Sequence, residues 1–246
     1  MPGDQALKST RRDLLRGSGA LAFTAATPLR ALAQTTDRAK MKIGVIGSGR
    51  IGGTIGRLWV KAGHSVLFSS RHPEALNELV ASLGSLASTG TVAQATAFGD
   101  AVFIAVPYGA LPQMGTDYGD ILKGKIVLDA CNAVAARDGA IADEVERDGI
   151  GIPSAKYLRA PRLVRAFNTM SYTIFAREAD RPDPRLAIPI AGDDSESVHV
   201  ASALVRDAGF EAVVVGNLAD ARRFQRGQPG YGQPVSAAEL RQKLSL

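Results

Sequence analysis

The pattern of apolar residues alternates between short unbroken runs and runs at helical spacing. Residues 43–46 form the first unbroken run, and after a glycine-rich segment Ile51, Ile55, Leu58, Trp59 and Ala62 follow at spacings of four, three, one and three. Unbroken runs are typical of strands buried in a parallel sheet, and the later spacing places apolar side chains on one helix face. The pattern therefore predicts a strand, a tight turn and a helix over residues 41–62.

Strand-like runs and helical patterns continue to alternate through the rest of the chain. Apolar runs occur at 64–70, 86–88, 101–106, 125–130, 163–168, 186–191 and 211–215, and helical patterns follow Pro73 and occupy 111–122 and 197–208. Thr91 and Ser236 begin sequences typical of capping boxes, and Pro189 favours an edge position for its strand. This order predicts an α/β fold, a Rossmann-type doubly wound and mostly parallel sheet with a small C-terminal extension.

The glycine-rich segment between the first strand and the first helix has the pattern Gly47-x-Gly49-x-x-Gly52. Gly47 suits a tight turn, Gly49 lets a pyrophosphate approach the backbone, and Gly52 lets the helix pack close to the strand. The N–H groups and the dipole at a helix N-terminus stabilise phosphate there. Because the motif lies between a strand and a helix, it predicts a dinucleotide site. The loop residues that we expect to bind the dinucleotide are Gly47, Ser48, Gly49, Arg50, Ile51 and Gly52.

The end of the second strand indicates which dinucleotide is bound. Sites that prefer NAD usually carry Asp or Glu about 20 residues after the glycines. Here Ser69, Ser70 and Arg71 occupy that place. Hydroxyl groups and a guanidinium can hydrogen-bond a 2′-phosphate, whereas a carboxylate would repel it. We therefore predict NADP(H) as the cofactor.

Further candidate contacts lie where two later strands end, because ligands bind outside the carboxyl ends of the strands in an open parallel sheet. Val106 and Pro107 end one apolar run, and Ala130 and Asn132 end the next. We expect these four residues near the ribose and the nicotinamide. Cys131, the single cysteine, has no histidine nearby in the sequence and is interpreted as a packed thiol rather than a nucleophile.

Composition and charge exclude several classes of protein. The chain has 246 residues, 46% of them hydrophobic and 22% charged, as in ordinary globular proteins. Much of its net charge of +5 comes from residues 1–33, which carry five basic and two acidic residues, so we predict no nucleic-acid partner. The three histidines are scattered, so no metal site is predicted. No apolar run is long enough to predict a membrane-spanning segment.

The first residues carry the signs of a targeting segment. The arginine pair Arg11-Arg12 resembles the twin-arginine (Tat) export signal, an apolar stretch follows, and Ala-Leu-Ala at 31–33 places cleavage before Gln34. We predict contact with the Tat machinery and a periplasmic location, or a cytoplasmic one if the leader is only a basic segment. The predicted organisation is a signal peptide at 1–33, a linker at 34–40, an NADP-binding Rossmann domain at 41–225 and a tail at 226–246.

Together these motifs resemble the NADP-dependent oxidoreductases related to coenzyme F420 (deazaflavin):NADP oxidoreductase, whose nucleotide domain is also similar to that of pyrroline-5-carboxylate reductase. The similarity covers residues 41–225 and rests on the segments 42–52, 70–71, 106–107, 191–194 and 216–222. It implies NADP(H) with a deazaflavin or flavin as co-substrate, and it implies that the loop after the 163–168 strand, with Met170, lies at the nicotinamide. That loop departs from the archaeal His-Thr-Ile-Pro-type sequence, so the acceptor stays open.

Three functions are compatible with these residues. The first is an NADPH-linked oxidoreductase that transfers hydride between NADP(H) and a deazaflavin, a flavin or a similar small-molecule acceptor. Such a transfer needs alignment more than an acid–base residue, so no catalytic residue is named. The second is a non-catalytic dinucleotide-binding or redox-sensing protein, and the third is an imine or hydroxy-acid reductase. The sequence leaves open whether the protein is a homodimer and how NADPH would be supplied after export.

Overall fold

An eight-stranded sheet forms the centre of the part of the chain that the structure describes, residues 40–246. In this computed structural model the strands are β1 (Lys42–Ile46), β2 (Ser65–Ser69), β3 (Ala87–Gly90), β4 (Ala101–Ile104), β5 (Ile126–Asp129), β6 (Leu163–Arg165), β7 (Ala187–Gly192) and β8 (Glu211–Gly216). The predicted signal peptide at 1–33 and most of the predicted linker lie outside the described residues.

The order of the strands across the sheet is β3-β2-β1-β4-β5-β6-β7-β8. The first six strands along the chain run parallel, β7 is antiparallel to β6, and β8 is parallel to β7. An order of 3-2-1-4-5-6 is that of the Rossmann fold, in which the chain winds outward from a central strand on both sides. The predicted fold class is therefore confirmed, and the carboxyl ends of β1, β2, β4, β5 and β6 meet along one edge.

Helices cover both faces of the sheet. Within residues 40–246 they are α1 (Arg50–Lys61), α2 (Asn77–Ala81), α3 (Val92–Phe98), α4 (Leu111–Leu122), α5 (Ala135–Asp138), α6 (Ala140–Asp148), α7 (Gly151–Leu158), α8 (Tyr172–Glu178), α9 (Ser195–Asp207) and α10 (Ala237–Leu244). The core on one face includes side chains of α1, α8 and α9, and the core on the other includes side chains of α3, α4, α6, α7 and α10. Among the described residues, no helix has both the length and the apolar character needed to cross a membrane.

The face covered by α1 and α9 contains a cluster of aromatic rings. Trp59 of α1 meets Phe103 of β4 edge to face, with ring centroids 5.1 Å apart, and meets Phe167 at 5.8 Å. Trp59 Nε1 donates to Leu204 O of α9 at 2.8 Å, so the indole N–H is satisfied inside the core. Complete burial of one large apolar side chain stabilises a fold by roughly 1.5–3 kcal/mol. This packing fixes α1, and with it the helix N-terminus, relative to the sheet.

Both predicted capping boxes are present. At the start of α3, Thr91 Oγ1 accepts from Gln94 N–H at 3.2 Å, and Gln94 Oε1 accepts from Thr91 N–H at 2.8 Å. Ser236 and Glu239 make the same reciprocal pair at the start of α10. Each box satisfies two backbone groups that a helix end otherwise leaves without partners. The local sequence therefore sets where α3 and α10 begin.

The edge position predicted for Pro189 is wrong, because β7 lies between β6 and β8. Ala187, two residues earlier and on the same side of the strand, donates its N–H to Val235 O at 2.9 Å rather than to β6. β6 pairs only with Ala191 and Gly192. Pro189 therefore faces a stretch that β6 does not reach, and its missing N–H removes no ladder hydrogen bond.

Residues 226–246 belong to the same compact unit as the sheet. α10 buries Leu240 and Leu244 in the core on the α4 face. Gly232 N–H donates to Thr169 O at 3.0 Å, which joins this segment to the loop after β6. The C-terminal segment thus reaches the edge of the sheet where a ligand is expected.

Candidate functional site

The glycine-rich loop joins β1 to α1 and has the geometry predicted from its glycines. Gly47 has a φ of +88°, and a side chain there would meet Ala105 O at 2.5 Å. A side chain at Gly52 would collide with Gly47 O, because the helix packs directly on the turn. At Gly49, by contrast, an added side-chain carbon would meet nothing within 4 Å beyond the adjoining residues. The loop is therefore tightly packed at Gly47 and Gly52 and open at Gly49.

The N-terminus of α1 leaves hydrogen-bond donors free for an anion. Gly53 N–H makes the first bond inside the helix, to Gly49 O at 2.8 Å, so the N–H groups of residues 50–52 have no acceptor within the helix. No side chain caps this end. Ser48 Oγ is buried and has no partner among the described residues. Together these groups form an anion site of the kind that holds a pyrophosphate.

A cavity of about 620 Å³, the first cavity, opens beside this loop. Seven of the predicted residues line it: Gly47, Ser48, Gly49, Ser70, Arg71, Val106 and Pro107. Another wall belongs to α4 and includes Gln113, Met114, Asp117 and Tyr118. Sequence reasoning missed these α4 residues, because a helical pattern does not show which cavity its polar face borders. The first cavity thus brings together the loops that follow β1, β2 and β4, as a parallel sheet requires.

The residues after β2 differ in what they offer to a ligand. Arg71 is exposed and Ser70 is half-buried, and both line the first cavity. Ser69 is fully buried, and its Oγ donates to Val45 O at 2.9 Å. The carbonyl of Ser69 also accepts the N–H groups of residues 47 and 48, at 3.2 and 3.0 Å. Contrary to the expectation from the sequence, Ser69 therefore supports the glycine-rich loop and does not line the cavity.

Two predicted loop residues have side chains directed to other parts of the fold. The Arg50 guanidinium lies over the ring of Tyr172, 5.3 Å from its centroid. Ile51 packs against the core on the α1 face. Both residues can still contribute their backbone N–H groups, because these groups belong to the uncapped first turn of α1. Their contact with a dinucleotide stays a prediction.

Three residues predicted near the ribose and the nicotinamide, namely Ala130, Asn132 and Met170, lie outside the first cavity. Ala130 and Met170 are 7% and 6% exposed and pack in the core on the α1 face. Asn132 is half-buried, and its Nδ2 donates to Asn168 O at 2.6 Å. The contact joins the loop after β5 to the loop after β6. Whether these three residues touch a cofactor stays a prediction.

Two buried polar atoms on the loop after β6 have no partner among the described residues. They are Asn168 Oδ1 and Thr169 Oγ1. Phe167, just before them, has a φ of +60°, a conformation that non-glycine residues seldom adopt. Buried polar atoms normally have partners, so these two mark a position where a ligand can bind. Both residues belong to the loop that the resemblance places at the nicotinamide, although the sequence analysis selected Met170 from that loop and not these two.

A fully buried ion pair supports the loop after β5. Asp129 and Arg165 face each other in the register of β5 and β6, and neither side chain is accessible to solvent. Asp129 Oδ1 accepts from Cys131 N–H at 2.8 Å, and Arg165 donates to Cys131 O at 2.6 Å. Removing one partner of such a pair costs about 3–5 kcal/mol, because the other charge is left buried. The pair therefore fixes the backbone immediately before Asn132.

Two further residues near this edge are packed inside the protein. Cys131 is 2% exposed, and burial, followed by the charge of Asp129, raises the pKa of its thiol. Tyr108 is fully buried with its hydroxyl 3.0 Å from Ser154 Oγ, and burial raises its pKa. A raised pKa disfavours the thiolate that a nucleophilic cysteine needs. The interpretation of Cys131 as a packed thiol agrees with this environment.

A second cavity, of about 500 Å³, lies beside the loop after β5. Small apolar side chains form much of its wall, namely Ala133, Val134, Ala135, Ala136, Ala142 and Val145. Gln225, Arg226 and Gly227 of the C-terminal segment form another side. Phe224, just before them, accepts from Asn168 Nδ2 through its carbonyl at 3.3 Å. Among the described residues, no group of three His, Cys, Asp or Glu side chains is arranged to hold a metal.

Comparison with known proteins identifies the part of the chain that holds the first cavity. Residues 42–133 match the family model of the NADP oxidoreductases, coenzyme F420-dependent. The resemblance drawn from the sequence is thereby confirmed for these residues, and the matched segment includes every residue that lines the first cavity.

Three relatives show how far the likeness extends. The chain is 30% identical to metalloreductase STEAP3 of Rattus norvegicus over 191 residues, 75% of this chain and 36% of that protein. The chain thus spans little more than a third of the length of this relative. A hypothetical protein from Sinorhizobium meliloti superposes with a TM-score of 0.64 at 23% identity, over 80% of this chain and 96% of that one. A candidate F420-dependent NADP reductase from Arthrobacter sp. FB24 gives 0.63 at 21% identity, over 74% and 87%. At these identities the two structures show a shared fold and no more.

Proposed function

We propose that this chain is an NADPH-linked oxidoreductase that transfers hydride between NADP(H) and a small ring acceptor, such as a deazaflavin or a flavin. The observation that carries the proposal is the uncapped N-terminus of α1, with open space at Gly49 and an unpartnered Ser48 Oγ beside it. An anion in that space satisfies donors that otherwise have no acceptor. The family matched by residues 42–133 supports NADP(H) as the source of that anion.

The lining of the first cavity suits the parts of NADPH that carry charge. The free N–H groups of residues 50–52 suit the pyrophosphate. Arg71, with Ser70 beside it, suits the 2′-phosphate, because a guanidinium donates paired, charge-assisted bonds to phosphate oxygens. Val106 and Pro107 border the same cavity and suit the ribose. This division gives each charged group of the cofactor a donor on the protein.

The loops after β5 and β6 suit the reacting end of the cofactor. Bound NADPH supplies a hydride from its nicotinamide ring. Asn168 Oδ1 can accept a hydrogen bond from the carboxamide, and Thr169 Oγ1 can donate or accept one. Asn132 Nδ2 donates to the backbone carbonyl of Asn168 and so holds that residue in place. Transfer between two rings needs this alignment and the exclusion of water, while the cofactor carries the chemistry.

Turnover tests this function directly. The purified protein is expected to oxidise NADPH when a flavin or deazaflavin is added, which the absorbance of the reduced nicotinamide reports. Absorbance and mass spectrometry of protein taken from its native compartment identify any bound acceptor. If the protein binds NADPH but oxidises it with none of these acceptors, the alternative of a non-catalytic dinucleotide-binding or redox-sensing protein replaces the proposal.

We also propose that the protein is exported to the periplasm by the twin-arginine route. The support is the pair Arg11-Arg12, the apolar stretch after it and the Ala-Leu-Ala sequence at 31–33. Because this route carries folded proteins, NADP(H) can travel already bound in the first cavity. Export of the folded complex would supply one equivalent of cofactor outside the cytoplasm.

A further inference from the structure

The geometry points to the second cavity as the site of the hydride acceptor. The charges at the mouth of this cavity select an acceptor with a planar ring and no phosphate group near the mouth. This inference rests on the proposed function, because it assigns the acceptor for the same hydride transfer. The position of the cavity, the chemistry of its wall and the charge at its mouth each support the assignment.

The two cavities approach each other across a stretch of three residues. Cys131 Sγ donates to Ile104 O at 3.6 Å, two residues before Val106, which lines the first cavity. Ala133, two residues after Cys131, lines the second cavity. Asn132 lies between them and contacts Asn168, one of the residues with an unpartnered buried atom. A cofactor that extends from the phosphate loop along the sheet edge therefore reaches the boundary of the second cavity with its nicotinamide end.

The wall of the second cavity suits a flat ring with carbonyl groups at its edge. Alanine and valine side chains give a smooth apolar surface without long flexible groups. Gln225 is 3% exposed and lines the cavity, and its Oε1 accepts from Ile150 N–H at 2.9 Å. Its Nε2 donates to none of the described residues. A ring carbonyl in the cavity can accept a hydrogen bond from this nitrogen.

The mouth of the second cavity carries more negative than positive charge. Asp143 and Glu146 lie one turn apart on α6, are exposed and line the cavity. The ion pairs of α6 involve Glu144 and Asp148 instead. Arg226 is the one cation among the lining residues. A phosphate group carries about −1.5 to −2 charges near neutral pH, so this mouth repels an acceptor that presents one.

The transfer moves two electrons. The C–H bond at the reduced nicotinamide breaks, and its hydrogen leaves with the bonding electron pair to form a new bond to a ring atom of the acceptor. A proton from solvent completes the reduction. The products are NADP⁺ and the dihydro form of the acceptor.

Riboflavin and FMN test the charge selection, because they share one ring system and differ by a single phosphate. We expect kcat/KM for riboflavin, with saturating NADPH at low ionic strength, to exceed that for FMN about five-fold, the size of a charge interaction of about 1 kcal/mol in water. Since exposed charges are screened by salt, the ratio should approach one at high ionic strength.

Two variants should change this ratio in opposite directions. Asp143→Asn combined with Glu146→Gln removes both carboxylates and should lower the ratio at low ionic strength to about one or below. Arg226→Ala removes the cation and should raise the ratio above the wild-type value. Asp120→Asn combined with Asp180→Asn makes the same change in net charge outside the cavity and should retain the wild-type ratio.

The outcomes separate the two proposals. If the wild-type kcat/KM for FMN equals that for riboflavin, the second cavity is not the acceptor site. The same holds if the variant with Asp143→Asn and Glu146→Gln keeps the wild-type ratio. In both cases the proposed oxidation of NADPH stands. If NADPH is oxidised with a deazaflavin but with neither flavin, the acceptor assignment is overturned and the proposed function stands. If it is oxidised with none of these acceptors, both are overturned.

Discussion

Gly49 is a single residue whose lack of a side chain matters for phosphate binding and not for the stability of the fold. Its φ of −75° suits any residue, and an added side chain meets nothing within 4 Å. We expect Gly49→Val to keep the wild-type melting temperature and to lose NADPH binding, because the side chain fills the space needed by the pyrophosphate. A fluorescence titration measures the loss. Gly124→Val, where the nearest atom is Ile121 O at 3.9 Å, is the control. Unchanged NADPH affinity in Gly49→Val would exclude a phosphate site at this loop.

Arg71 should distinguish NADPH from NADH, because only NADPH carries the 2′-phosphate. A hydrogen bond to a charged group contributes about 1.5–3 kcal/mol. We therefore expect Arg71→Ala to weaken NADPH binding about 10-fold to 100-fold and to change NADH binding little. Binding isotherms for both cofactors at the same moderate salt concentration measure the contrast. Arg57→Ala, which removes an exposed cation from α1, is the control. Equal weakening of both cofactors would make Arg71 a structural residue.

Ser70→Asp should go further and reverse the cofactor preference. The new carboxylate repels the 2′-phosphate and offers an acceptor to the ribose hydroxyl of NADH. Ser70 Oγ accepts from His72 N–H at 2.9 Å, and an Asp side chain can keep that bond, so the loop should retain its shape. The same pair of isotherms reports the result. A wild-type protein that already prefers NADH would refute the assignment of NADP.

At the scale of elements, Asp138 of α5 connects the loops that follow β4 and β5. Its side chain is 2% exposed and accepts from Gly109 N–H at 3.1 Å and from Val134 N–H at 2.8 Å. The hydrogen bond from Arg137 is the largest cause of its lowered pKa. Because the folded-state pKa is depressed, this carboxylate stabilises the fold fully above about pH 4. That stabilisation is lost as the pH falls through the lowered value.

Asp138→Asn should therefore destabilise the protein in a way that depends on pH. We expect its free energy of unfolding at pH 7 to be lower than that of the wild type by about 1.5–3 kcal/mol, the size of hydrogen bonds to a charged group. The difference should shrink below about pH 4, where the wild-type side chain also becomes neutral. Urea unfolding at several pH values measures it, with the more exposed Asp148→Asn as control. A difference that stays constant with pH would assign the effect to packing.

The elements that the sequence predicts are those whose pattern is local. α4 has the predicted bounds, and the capping boxes of α3 and α10 lie where the sequence places them. The sequence pattern does not predict α5 to α8. α6 fully buries only Val145 and α8 only Phe175, so each has a short apolar pattern. The sequence places Pro189 at an edge because proline has no N–H to donate. The structure accepts it inside the sheet because β6 pairs only with Ala191 and Gly192, and the end of β6 depends on another segment.

The residues of the candidate site also divide into those that the sequence predicts and those that it does not. The glycine-rich loop and Arg71 are predictable, because their jobs depend on their fixed distance from one strand and one helix. Asp129 and Arg165 are 36 residues apart and meet only through the register of two strands. Gln225 reaches the second cavity from the far end of the chain. Such contacts depend on the assembled sheet, so a single sequence shows the residues but not their partners.

For the whole molecule, we propose that residues 1–33 decide the compartment in which the protein works. We expect Arg11→Lys combined with Arg12→Lys to retain the protein in the cytoplasm as an unprocessed precursor, because the twin-arginine pair is the part of the signal that the export machinery reads. Cell fractionation and N-terminal sequencing measure this. Arg16→Lys combined with Arg30→Lys changes two arginines outside the pair and should still be exported. Mature protein that begins at Gln34 in the periplasm from the first variant would refute Tat dependence.

The C-terminal segment also sets an order of events during synthesis. The first cavity is lined by residues from Ile46 to Tyr118, whereas the second needs Gln225 to Gly227. Thr169 likewise gains its backbone contact with Gly232 only when the last part of the chain is present. A chain still attached to the ribosome can therefore contain every residue that lines the first cavity and still lack Gln225 to Gly227, which form one side of the second cavity. On the proposed function, hydride transfer in a confined site needs both cavities, and therefore needs Gln225 to Gly227 as well as residues 46–118.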